Sequence, residues 1–118
     1  MLGKKFLPGS ADEISLSTST SGTGTAIPLN DCRQTEWNTE YSGTITGGTI
    51  IVECASTPTF AGTWKQLDSF LATDVVAGTA GFGSYPGSPG GFTRFRVDSG
   101  SPITGGGTIT GRVNGLLN

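Results

Sequence analysis

The side chains able to do chemistry in this chain are nine carboxylates, seven lysines and arginines and two cysteines, with no histidine anywhere. Without imidazole there is neither an ordinary general base near neutral pH nor the commonest nitrogen ligand for a metal, so the common hydrolase triads are excluded. Paired carboxylates alone suffice for glycoside hydrolysis, which brings Glu36, Glu40, Glu53, Asp68 and Asp74 into consideration. Only Glu36 and Glu40 flank an aromatic, Trp37. Four residues of extended chain separate them by roughly 13 Å, beyond the span of either glycosidase geometry. Asp-x-Asp spacing, expected of a calcium loop, does not occur. Cys32 and Cys54 lack the companion ligands of a zinc site and read as buried free thiols of a reducing compartment, with a single disulfide as the alternative. No catalytic residue, metal or cofactor is expected, and the chemistry left to this chain is recognition.

The composition fits that role. Of 118 residues, 20 are glycine and only 14% are charged, so Thr, Ser and backbone amides must supply much of the polar surface. The net charge of −2 provides no basic field for a phosphate backbone, which makes nucleic acid an unexpected partner. No stretch approaches the eighteen or so apolar residues that span a bilayer, so no membrane association is expected. At the start, Pro8-Gly9-Ser10 interrupts the short apolar run, which reads as no signal peptide and as synthesis in cytosol.

The elements that must position these side chains are strands. Thr49 to Ala55 alternates Ile50, Val52 and Cys54 onto one face, which belongs in a core. Phe92 to Val97 sets Phe95 and Val97 against Arg94 and Arg96. Gly107 to Val113 turns Ile109 and Val113 inward and Arg112 outward. Weaker strands are expected over 13–19, 25–29, 34–41 and 63–70, the last requiring a bulge because Trp64 and Leu67 fall on opposite faces. No helical period persists for three turns. Six to eight short strands between Gly, Pro, Ser and Asn turns predict one all-β domain, an antiparallel β-sandwich of jelly-roll type, over residues 13–118. A partly open barrel is the alternative. Ile45-Thr46-Gly47-Gly48-Thr49 returns as Ile103-Thr104-Gly105-Gly106-Gly107-Thr108, which reads as two similar turns at matched places or as a duplicated ligand site.

Three features suggest contact surfaces. Residues 1–12, with Leu2, Lys4, Lys5, Phe6 and Leu7, form an expected N-terminal arm that packs on its own domain or orders on a neighbour. An uncharged loop from Ala77 to Gly91 carries Phe82 and Tyr85, each worth on the order of 1.5–3 kcal/mol if buried against a partner, unless they fold back as a lid on the core. Were the strands of Phe95 and Ile109 adjacent, Arg94, Arg96 and Arg112 would gather into a basic patch able to fork onto carboxylates, or else pair with Glu53 in an ordinary solvated face.

The run from Tyr41 to Glu53, the segment Phe60-Ala61-Gly62-Thr63-Trp64-Lys65-Gln66-Leu67 and the strand Gly91 to Val97 together resemble small β-sandwich structural proteins of tailed bacteriophages, particularly capsid cement or decoration proteins. The resemblance spans residues 41–117 and implies a homo-oligomer, dimer or trimer. It would sit on the outside of the phage head and clamp neighbouring subunits of the major capsid protein. The rival expectation is a carbohydrate-binding module or tail-fibre receptor-binding tip, with Trp37, Trp64, Tyr85 or Phe82 as stacking platforms. A head–tail connector or tail component is the third.

Overall fold

The computed structural model describes residues 5–15, 22–29, 32–87 and 91–117, with only the backbone course for 5–15 and Leu117. Eight strands and one short helix follow in order: β1 (Lys5–Ser15), β2 (Ile27–Pro28), β3 (Cys32–Ser42), β4 (Thr49–Ala55), β5 (Lys65–Leu71), α1 (Ala72–Ala77), β6 (Gly83–Pro86), β7 (Phe92–Val97) and β8 (Thr108–Leu117). Their antiparallel pairings are β1 with β8, β2 with β7, β3 with β6 and β4 with β5. That is one long hairpin with its tip between β4 and β5. Winding the hairpin brings β3 beside β8 and β4 beside β7. Two four-stranded sheets result, ordered β1-β8-β3-β6 and β2-β7-β4-β5. The expected jelly-roll sandwich is therefore the fold.

Strand alternation builds the core between the sheets. Ile50 and Val52 from β4, Phe95 and Val97 from β7, Ile109 and Val113 from β8 and Trp37 from β3 are all buried in one cluster. Close approach of the layers depends on missing side chains. A Cβ on Gly111 would lie 2.5 Å from the Phe95 ring of the facing sheet; within the first sheet, one on Gly83 would lie 2.8 Å from the indole of its cross-strand partner Trp37. The anticipated bulge in β5 is present, since Val52 faces Asp68 while Glu53 faces Gln66, leaving Leu67 as the extra residue. Leu67 packs against the core, whereas Trp64 is buried outside that cluster.

The repeated Thr-Gly turns lie against each other. Thr46 N–H donates to the Thr104 carbonyl at 2.9 Å, Thr104 N–H donates to the Gly47 carbonyl at 3.1 Å, and the two threonine hydroxyls are 2.9 Å apart. Gly48 and Gly105 have φ of 123° and 108°, and a Cβ on Gly48 would lie 2.6 Å from Ile103 Cα. The repeat thus ties the loop before β4 to the loop before β8.

Two boundaries differ from the sequence reading. The expected junction between arm and domain at residue 12 falls inside β1, where Lys5, Phe6 and Leu7 face Leu117, Leu116 and Gly115 across the ladder. Pairing with β8 resumes at Ser10 after a register shift beyond Leu7, so Pro8-Gly9 interrupts the strand without ending it. Leu2 and Lys4 lie outside the described residues. The Ala77–Gly91 loop is also shorter than expected, because Gly83–Pro86 is strand β6, held by register to Gln34–Trp37.

Candidate functional site

Glu53 is the one charged side chain buried among the described residues, at 3% exposure. It stands in the apolar strand β4, pointing away from the core, and a carboxylate there requires a cationic partner. Cross-strand register supplies two. Arg94 on β7 is directly opposite Glu53, and Arg96 lies two residues along on the same face. Both Arg94 Nε and Nη2 donate to Glu53 Oε2 at 2.7 Å, and Arg96 Nε donates to Oε1 at 3.1 Å. The Arg94 guanidinium stacks on the Trp64 ring, 3.6 Å from its centroid, and Trp64 Nε1 donates to the Phe60 carbonyl at 2.9 Å. Phe60, Trp64, Arg94, Glu53 and Arg96 therefore form one connected group on the outer face of the second sheet. The Trp64, Arg94, Glu53 and Arg96 side chains hold one another in place.

Arg112 does not belong to that group. β7 pairs with β2 and β4, β8 pairs with β1 and β3, and the two strands lie in different sheets. The three-arginine patch is accordingly split across the two sheets. Arg112 instead meets Glu40, with Nη1 to Oε1 at 3.2 Å and both side chains well exposed. Short-range alternation placed each arginine on its outer face correctly; the sheet to which each strand belongs is a long-range property that alternation does not carry.

The aromatic candidates diverge. Phe82, which precedes β6, is 63% exposed. Tyr85 is half-buried against the core, and its hydroxyl accepts a hydrogen bond from Lys65 Nζ at 3.2 Å. That bond, first among its causes, raises the Lys65 pKa. Trp37 and Trp64 are both buried. The Trp37 Nε1 donates to Asp68 Oδ2 at 3.3 Å, which links the two sheets. Trp64 and Phe60 were not joined to the arginines in the sequence reading. The available signal was Glu53 itself, a lone carboxylate within an apolar strand.

Two further carboxylates have structural partners. Glu36 accepts from Gln34 at 2.9 Å, and Asp98 caps a turn by accepting from Gly100 N–H at 3.0 Å. Among the described residues, no group of three or more His, Cys, Asp or Glu side chains is placed to hold a metal ion. Cys32 and Cys54 are buried and not bonded to each other, and burial pushes the Cys54 thiol up, opposed by the nearby Lys65 charge.

No protein-family model and no curated relative matches the chain. Among solved structures, the chain is similar to the crystal structure of the SPBc2 prophage-derived protein YomS, with a TM-score of 0.61. The match covers 98% of this chain and 96% of that one at 12% sequence identity. At that identity the likeness shows a shared fold, and it extends over essentially the whole of both chains.

Proposed function

We propose that the protein is a phage virion structural component, a decoration protein that binds the outside of the head and clamps neighbouring major capsid protein subunits. The observation that carries this reading is the end-to-end match to a prophage-derived protein, 98% of one chain on 96% of the other. The described side-chain chemistry is consistent with a surface-recognition role. Glu53, Glu40, Asp68, Glu36 and Asp98 all engage neighbours within the fold, while Phe60 and Phe82 are left exposed.

Repetition on a lattice would turn moderate single contacts into durable attachment, and self-association into a dimer or trimer would add to the clamp. The glycan-binding alternative loses its best platforms, because Trp37 and Trp64 are both buried. The test is sedimentation of purified protein with heads that lack it. Saturable co-sedimentation at micromolar concentration is expected; a protein that stays in the supernatant at that concentration overturns the reading.

A further inference from the structure

We infer that the outer face of the second sheet is a carboxylate-recognising contact surface, in which Arg96 forks onto an Asp or Glu side chain of a neighbouring protein and Phe60, at the Trp64 end of the same group, supplies a second, apolar contact. As the identification of which face meets the capsid, this rests on the decoration reading; as a statement about anion recognition, it stands on the geometry alone.

Glu53 has two oxygens and both are used, Oε2 by Arg94 and Oε1 by Arg96. Arg96 is held through Nε only. Among the described residues its Nη1 and Nη2 make no hydrogen bond, and its side chain is 32% exposed. An arginine fixed at Nε, with no partner for either Nη atom among the described residues, presents a planar donor pair, which matches the two oxygens of a carboxylate. The group of two arginines and one glutamate carries a charge of 2 − 1 = +1 on a chain whose net charge is −2. A partner carboxylate therefore meets local attraction on an otherwise acidic protein.

Pre-organisation strengthens the case. Arg94 is clamped between Glu53 and the Trp64 ring, and it holds Glu53 in the position that orients Arg96. Phe60 is joined to the group through its carbonyl, and the residue is 40% exposed. An arginine oriented through Glu53, with an exposed aromatic at the other end of the same group, has less side-chain entropy to lose on binding than a free surface arginine.

Two arms test this. In the first, arginine side-chain and backbone resonances of 15N-labelled protein are followed while a blocked Leu-Glu-Leu-Glu peptide is added at low ionic strength. The Arg96 Nε–H and Phe60 amide signals are expected to shift together and saturate, with Arg112 unmoved and the shifts reversed by about 0.5 M NaCl. No shift at Arg96, or equal shifts at Arg33, Arg112 and Arg96, overturns the proposal. In the second arm, Arg96→Gln and Phe60→Ser are sedimented with heads, alongside Arg112→Gln as the control on the other sheet. Thermal melting first verifies that each variant is folded. Both test variants are expected to bind about tenfold more weakly or worse, and the control like the parent. Parent-like binding by Arg96→Gln overturns this face as the docking surface while leaving the decoration reading intact. If the parent itself fails to sediment with heads, the decoration reading falls, and the peptide titration decides the anion site by itself.

Discussion

Two arginine–carboxylate contacts, one on each sheet, use the same chemistry at nearly the same distance and differ in everything that sets their strength. On the second sheet, Glu53 has a side-chain exposure of 4% and is held by two arginines, one of them stacked on Trp64. On the first, Arg112 and Glu40 are 48% and 67% exposed and share one 3.2 Å contact. Water solvates the exposed pair almost as well when it is apart, and salt screens what attraction remains. The buried carboxylate has no such alternative. Removing its partners leaves a desolvated charge, so the cost of breaking the group exceeds the benefit of having formed it. The side chains of the buried group are thereby held more firmly than those of the exposed pair.

Substitutions test that contrast. The largest effect is expected from Arg94→Ala, which removes the stronger partner of Glu53 and uncovers Trp64. Stability should fall by about 3 kcal/mol in denaturant unfolding, or about 12 °C in melting temperature. Tryptophan emission should shift to the red as the indole meets water. Loss of under about 1 kcal/mol would mean that Glu53 is not effectively buried.

Glu53→Gln should cost less, about 2 kcal/mol, because the amide oxygen still accepts one bond but no longer neutralises two guanidinium groups. Adding about 0.5 M NaCl should leave most of the gap between Glu53→Gln and the parent in place. A gap that closes in salt would place this group in the same class as Arg112 and Glu40. Smallest of all, Arg112→Ala or Glu40→Ala should change stability by less than about 0.5 kcal/mol, and the double mutant should show coupling within the same bound.

The contrast also separates what was legible in the sequence from what was not. β4, β7 and β8 could be read because alternation puts Ile50, Val52, Phe95, Val97, Ile109 and Val113 on one face, and that signal is local. Arg94 and Arg96 were rightly placed opposite Phe95, and Glu53 was a foreseeable partner. The separation of Arg112 from them depends on how the hairpin is wound, which no window of ten residues encodes. β6 was hidden because Gly83-Ser84-Tyr85-Pro86 has weak strand propensity; its register against β3 is what makes it a strand. Likewise the Pro8-Gly9 step reads as a break, and only the ladder to β8 carries β1 across it. The Thr-Gly repeat was visible as a repeat, while its mutual pairing required the fold.

Electron microscopy of the native particle that carries this chain tests the functional account most directly. The account predicts repeated density of this jelly roll on the outer surface of the head, straddling neighbouring capsid subunits, with the β2-β7-β4-β5 face turned toward them. Density confined to the tail or its fibres, or a particle without this chain on its head, would contradict it.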